Sequence, residues 1–161
     1  MQATSSTEFA TPTDREVVAT RTFDAPRELV WDMFTKPEHL QQWLLGPDGW
    51  EMPICEVDLR PGGTYRYGWA EAETGANPFE LSGTFKEIEQ PHRIVHTEQF
   101  MGEGPKAVIT LELTEEDGKT RMTTTMLYPS KEVRDQVLAT GMTDGAGKSY
   151  DRLAEYLTTV D

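Results

Sequence analysis

The sequence predicts an α+β domain in which a long helix covers one face of an antiparallel sheet of about six to seven strands. Between residues 50 and 127, short segments rich in β-branched and aromatic residues alternate with turn signals, as in a series of hairpins. Near the C-terminus, apolar residues recur at spacings of three and four, which indicates a helix. A chain of 161 residues fits one domain, so both patterns belong to the same fold.

Two short helices are expected between the first strand and the rest of the sheet. Residues 1–13 are rich in Ser, Thr and Ala and show no periodicity, so we expect a flexible segment there and a domain over residues 14–161. Apolar residues alternate over residues 15–23, as in a strand. Helical spacing follows Pro26, and a second helix begins near Pro37, because the residue before a proline avoids the helical conformation.

The central strands show which side chains share a face. Tyr67 and Trp69 alternate along one strand, with Arg66 on its opposite face. Gly83 lies in a later strand with one apolar face. A glycine at such a position lets a sheet bend or lets a helix approach closely.

The C-terminal helical region is predicted to have a defined start and an interruption. The hydroxyl group of Ser130 can cap the first helix. Gly141 interrupts or bends the helical pattern, since an interior glycine costs roughly 1 kcal/mol. From Met142 onward the apolar spacing continues, which predicts the longest helix of the chain.

The charge of the chain argues against polyanionic partners. The sequence has 28 acidic and 15 basic residues, a net charge of −13. Such a charge repels phosphates, so we expect neither a nucleic acid nor a membrane surface as partner. The N-terminus has no signal-peptide pattern and no apolar run approaches the ~18 residues of a membrane span. We therefore expect a cytoplasmic protein, and the sequence leaves monomer and homodimer as alternatives.

Neither a disulfide nor a bound cofactor is expected. Cys55 is the one cysteine of the chain, so no internal disulfide and no cysteine-based zinc site can form. No spacing of His, Asp and Glu resembles that of a metal site, and no motif indicates a nucleotide or another cofactor.

Six local phrases, found in one order over roughly residues 15–158, carry a family resemblance. They are Phe23-Asp24-Ala25-Pro26 with Val30-Trp31, Trp43 with Gly46-Pro47, Asp58-Leu59-Arg60-Pro61-Gly62-Gly63, Gly83-Thr84-Phe85-Lys86-Glu87-Ile88, Pro91-His92-Arg93-Ile94-Val95, and Gly141-Met142 through Arg152-Leu153. With them the sequence resembles the helix-grip fold of the START-like (SRPBCC) superfamily, which includes Bet v allergen-like and polyketide-cyclase-like proteins. More closely, it resembles the family related to the activator of the ninety-kilodalton heat-shock protein's ATPase.

The resemblance implies a curved sheet that grips the long C-terminal helix, with a cavity between them. Members of the superfamily use this cavity for lipids, steroids, polyketide intermediates or small aromatic molecules. Many relatives carry an aromatic residue after the glycine at position 145, where this chain has the small Ala146. We therefore expect additional space beside the covering helix.

The first functional hypothesis is a binding domain for a small apolar or aromatic molecule, because such pockets are mostly apolar with few polar groups. Six residues are predicted to line the cavity: Tyr67, Trp69, Phe85, Met122, Met142 and Ala146.

Two other functions stay open at this point. The first is an enzyme of the cyclase, dehydratase or hydrolase type, in which His96 and Glu98, or Arg66, would be the polar groups, since one positioned base supports proton transfer. The second is a protein-interaction role with a chaperone or in a stress response, which the resemblance implies because eukaryotic relatives stimulate a chaperone ATPase.

Overall fold

A computed structural model describes residues 6–160, which form four helices and one sheet of eight strands. The strands are β1 (Glu8–Ala10), β2 (Glu16–Phe23), β3 (Trp50–Val57), β4 (Thr64–Glu71), β5 (Phe79–Glu89), β6 (Arg93–Phe100), β7 (Lys106–Glu116) and β8 (Lys119–Leu127). The helices are α1 (Arg27–Thr35), α2 (Pro37–Trp43), α3 (Lys131–Ala139) and α4 (Met142–Leu157). None of these helices is long and apolar enough to cross a membrane.

The sheet is antiparallel throughout, and its strand order is β1-β2-β8-β7-β6-β5-β4-β3. The run from β3 to β8 is a meander, in which each strand pairs with the next one in the chain. Strand β2 pairs with β8, the last strand of the meander. This arrangement confirms the predicted α+β fold, in which a curved sheet holds the C-terminal helix.

The additional strand lies in the segment that was predicted to be flexible. Strand β1 pairs with β2, with Ala10 opposite Val18. Phe9 packs against the core, and Arg21 donates a hydrogen bond to the Thr7 hydroxyl at 3.2 Å. The prediction of flexibility is therefore wrong for residues 8–10, because pairing with β2 orders a segment without helical or strand periodicity. Residues 1–5 of the predicted segment lie outside the described residues.

The short helices α1 and α2 begin where the prolines predict. Pro26 precedes α1, and Pro37 is the first residue of α2, where a missing N–H leaves no hydrogen bond unmade. Trp31 and Trp43 are buried in the core. The indole N–H of Trp43 donates to the carbonyl oxygen of Met33 at 3.0 Å, which joins the two helices.

The C-terminal helices have the predicted boundaries. The Ser130 hydroxyl accepts a hydrogen bond from the Val133 N–H at 3.1 Å and so caps α3. Gly141 has φ +82° and separates α3 from α4, which is the longest helix of the described chain. The left-handed conformation is costly for residues with a Cβ atom, so glycine suits this junction.

Hydrogen bonds connect the middle of helix α4 to the end of α2 and the loop that follows it. The Ser149 hydroxyl accepts from the Gly46 N–H at 2.8 Å. The Arg152 guanidinium donates to the carbonyl oxygens of Trp43 and Gly46, both at 3.1 Å. Gly46 and Arg152, which belong to two of the phrases of the resemblance, are therefore in direct contact.

Candidate functional site

A cavity of about 780 Å³ lies between the sheet and the helices. The side chains around it are Phe34, Leu40, Trp43, Leu44, Tyr67, Phe79, Leu81, Phe85, Ile94, His96, Glu98, Phe100, Pro105, Ala107, Ile109, Leu111, Thr124, Met126, Tyr128, Val133, Val137, Thr140, Met142, Ala146 and Tyr150. Most of them are aliphatic or aromatic. The described wall contains no lysine, arginine or aspartate.

The part of the wall that the sheet provides consists of side chains on one face of its strands. On β6 and β7 the register places His96 opposite Ile109 and Glu98 opposite Ala107, so these side chains share one face. Side chains at every second position of a strand point to the same side. The inner face of the sheet is therefore both core and cavity wall.

Helices supply the other side of the wall. Tyr150 of α4 stacks on Trp43 of α2, with ring centroids 5.9 Å apart. Ala146 lies one turn before Tyr150 on the same face of α4. Because its side chain is a single methyl group, space remains between α4 and the sheet at this position.

Exposed wall residues show where the cavity opens. Phe100, at the end of β6, is 57% exposed. Pro105 in the β6–β7 turn and Thr140 at the end of α3 are also exposed, and all three border the cavity. The opening therefore lies between the β6–β7 turn and the α3–α4 junction.

A group of polar atoms interrupts the apolar wall on β6. The Tyr65 hydroxyl donates to the Thr97 carbonyl oxygen at 2.6 Å. Nδ1 of His96 lies 3.1 Å from the same carbonyl oxygen and 3.1 Å from the Tyr65 hydroxyl. Because a carbonyl oxygen only accepts, the His96 proton resides on Nδ1, and Nε2 is left as an acceptor.

Burial sets the charges of His96 and Glu98 in this wall. Burial lowers the pKa of His96, and the hydrogen bond to Thr97 offsets part of this effect, so the imidazole is neutral near pH 7. Burial raises the pKa of Glu98 to about 7. The Glu98 carboxyl group therefore exists in both charge states near neutrality.

Gly83 allows the backbone of β6 to approach closely at Thr97. A Cβ atom at Gly83 would lie 1.9 Å from the Thr97 carbonyl oxygen. The Thr84 N–H donates to the Thr97 side-chain oxygen at 3.0 Å. The close approach predicted at Gly83 therefore exists, but the neighbour is the β6 backbone rather than a helix.

Four of the six residues predicted to line the cavity do border it: Tyr67, Phe85, Met142 and Ala146. Trp69 lies outside this wall, where its indole N–H donates to the Leu44 carbonyl oxygen at 2.7 Å. Met122 is fully buried elsewhere on the inner face. Thr120, two residues before it, bonds to the Ala25 carbonyl oxygen, so this end of β8 is covered by the start of α1.

The three candidate residues for catalysis lie in two different locations. His96 and Glu98 both face the cavity. Arg66 lies on the outer face of β4, where it donates to the Glu80 carboxylate at 2.7 and 2.9 Å. Arg66 therefore has no access to a molecule in the cavity.

The structure adds wall residues that the sequence did not single out, on strands β5 to β8 and on helices α1, α2 and α3, together with Tyr128 and Tyr150. Helical spacing showed that these helices have an apolar face. It contains no information on which part of that face meets the sheet and which part borders open space. Tyr65, whose hydroxyl group contacts His96, was not among the predicted site residues.

Comparisons with known proteins agree on the fold. A crystal structure of a protein from Rhodobacter sphaeroides is 28% identical, has a TM-score of 0.89, and covers 96% of this chain and 99% of that one. Protein Ms6760 from Mycobacterium smegmatis is 25% identical with a TM-score of 0.85, covering 97% and 99% of the chains. An HSP90 activator from Plasmodium falciparum, 23% identical with a TM-score of 0.54 over 70% and 72% of the chains, shares the fold.

Functionally curated proteins give no match to the sequence. Residues 24–158 match the family described as activator of Hsp90 ATPase homolog 1-like protein. This match spans most of the chain and confirms the resemblance. The chain therefore belongs to the family of activator of Hsp90 ATPase homolog 1-like proteins.

Proposed function

We propose that the protein binds a small molecule with an apolar or aromatic body in the cavity between the sheet and helices α3 and α4. The observation that carries this proposal is the cavity itself, whose volume is about 780 Å³ and whose wall is mostly apolar. Pockets for small ligands typically measure ~300–1,000 Å³ and have apolar walls with a few polar groups.

Packing supports a functional origin of this space. Protein interiors are close-packed, and voids larger than a water molecule are few. On α4, Tyr150 and Leu153 are buried in the core. Ala146 on the same helix borders the cavity instead, and a larger side chain at this position would fill part of it. Such a cavity reduces the packing of its wall, so a bound apolar molecule would restore contacts that the wall residues lack.

The direct test is native mass spectrometry of the protein purified from its own host, followed by thermal-shift measurements with apolar and aromatic compounds. We expect a bound mass, or a melting temperature that rises with ligand concentration. A protein that carries no bound mass, and whose melting temperature does not change with any compound, would contradict the proposal.

A second candidate function is an interaction with a chaperone, which the description of the family favours. Phe100 and Met101 are 57% and 50% exposed beside the cavity mouth and form an apolar surface. Stimulation of Hsp90 ATP hydrolysis by the wild type, lost in the Phe100→Ser/Met101→Ser variant, would support this role. An unchanged hydrolysis rate with the wild type would exclude it.

The enzymatic alternative stays a prediction. His96 and Glu98 both face the cavity and are its candidate groups for proton transfer. Conversion of a bound compound by the wild type, lost in Glu98→Gln or His96→Ala, would establish it.

A further inference from the structure

Within the described part of the chain, the Glu98 carboxyl group lies in an apolar cavity without a cationic partner. It projects from β6 opposite Ala107 of β7, and both residues border the cavity. Among residues 6–160, the cavity wall contains no lysine or arginine, and burial is the cause of the raised pKa of Glu98. Carboxylates that are buried in proteins are ordinarily paired with a cation or a hydrogen-bond donor.

The groups around Glu98 do not supply the missing positive charge. His96, on the same face of β6, is neutral because burial lowers its pKa. Burial and then the Glu98 charge raise the pKa of Tyr65 and of Tyr128, while for Tyr67 and Tyr150 the Glu98 charge is a lesser cause after burial. All four tyrosines are therefore neutral phenols at pH 7, and Glu98 is the source of charge in the described wall.

This charge distribution discriminates among ligands. A ligand with a carboxylate or phosphate group would place a second negative charge near Glu98 in a cavity of low polarity, which is unfavourable. An ammonium group would instead form a charge-assisted hydrogen bond with the Glu98 carboxylate. The aromatic side chains Tyr67, Phe79 and Phe85 add ring faces, which attract organic cations.

We propose that the cavity selects small hydrophobic amines, whose ammonium group pairs with the Glu98 carboxylate while the apolar body packs on the aromatic wall. This inference rests on the proposed ligand-binding function and names its ligand class. The same site would reject fatty acids and other hydrophobic anions of equal size.

A fluorescence displacement experiment at pH 8 tests the inference. N-phenyl-1-naphthylamine, a neutral apolar fluorophore, serves as the probe. Three competitors share one body and differ in the terminal group: 4-phenylbutylamine, 4-phenylbutanol and 4-phenylbutyrate. We expect the amine to bind at least about tenfold more tightly than the alcohol, as for a charge-assisted hydrogen bond, and the carboxylate to bind more weakly than the alcohol.

Two isosteric variants separate Glu98 from the general negative charge of the protein. Glu98→Gln should bring the amine and the alcohol to the same affinity, while the probe still binds. Glu112→Gln removes the same charge from an exposed position on β7 and should leave the tenfold preference unchanged. Thermal unfolding of each variant at pH 8 verifies that it is folded.

The outcomes distinguish this inference from the proposed function. If the probe binds but the carboxylate competes as well as the amine, or Glu98→Gln retains the preference, the amine selectivity is wrong and ligand binding still stands. If neither the probe nor any competitor binds, the proposed function and the inference both fail.

Discussion

Glu98 combines a position in the cavity with a pKa raised by burial to about 7. Its folded-state pKa lies above the ordinary value of 4.5, so the neutral form is favoured in the folded protein. The contribution of the neutral Glu98 side chain to the stability of the folded protein is fully present below about pH 4.5. It is lost as the pH rises through about 7, because the carboxyl group then ionises. At higher pH the ionised carboxylate destabilises the fold by at most about 3 kcal/mol.

Substitution of this carboxyl group should therefore change stability in a pH-dependent way. We expect Glu98→Gln to raise the melting temperature by several degrees at pH 8.5, because it removes a partly buried charge, and to have almost no effect at pH 4.5. Circular dichroism during heating measures both values. Glu112→Gln is the matched control, and an equal gain for Glu98→Gln at the two pH values would refute the assignment.

Gly83 and Gly145 should respond in opposite ways to the same substitution. A Cβ atom at Gly83 would meet the Thr97 carbonyl oxygen at 1.9 Å, so Gly83→Ala should destabilise the protein by about 3 kcal/mol. At Gly145 in α4 the nearest atom would be Cδ of Pro47 at 3.5 Å, an ordinary contact. Gly145→Ala should therefore stabilise by about 0.5–1 kcal/mol through helix propensity. Urea unfolding of the two variants measures both changes, and two changes of the same sign would contradict the account.

At the residue scale, alternation predicted part of the site. His96 and Glu98 were both predicted as polar groups for proton transfer, and their spacing of two residues places them on one face of β6. Met122 was also predicted to line the cavity, and it lies on the same face of β8 as Thr124 and Met126, which do border it. How far along β8 the open space extends depends on where α1 covers the sheet, and no periodicity within β8 contains that information.

Helix α4 is attached to the loop after α2, which also contributes to the cavity wall. Arg152 donates to two backbone carbonyl oxygens, those of Trp43 and Gly46, and also to Asp48 at 3.1 Å. Leu44 in the same loop borders the cavity. This attachment therefore holds together the helix and one edge of the cavity wall.

Loss of this attachment should be measurable. We expect Arg152→Met to lower the free energy of unfolding by about 2 kcal/mol, because two partly buried carbonyl groups lose their donor. Lys148→Met on the same helix is the control, since Lys148 is exposed and its pair with Asp144 contributes little. Urea titration gives both values, and equal losses for the two variants would disprove a special role of Arg152.

At the scale of elements, the sequence predicted the order of the strands and helices. The turns, the prolines and the Ser130 cap are local signals, and they separated the first strand, the two short helices, the series of hairpins and the two C-terminal helices. Strand β1 was missed because three residues cannot show a period. What orders it is the pairing with β2 and the packing of Phe9, which are tertiary interactions.

At the scale of the whole molecule, the fold was predictable and the cavity dimensions were not. Antiparallel hairpins followed by a long helix allow few topologies. The volume of the cavity depends on the distance between α4 and the sheet, and many side chains from four helices and five strands set that distance together. Only Ala146 gave a local indication of open space.

The measurement that tests the central claim most directly is the affinity for N-phenyl-1-naphthylamine of the wild type, Ala146→Trp and Ala139→Trp. Ala146 borders the cavity, whereas Ala139 is exposed on α3, so the same substitution either fills the cavity or leaves it open. We expect Ala146→Trp to weaken binding at least about tenfold, which corresponds to about 1.4 kcal/mol, and Ala139→Trp to bind like the wild type. Equal affinities of the three proteins, each shown to be folded, would contradict the cavity as the binding site.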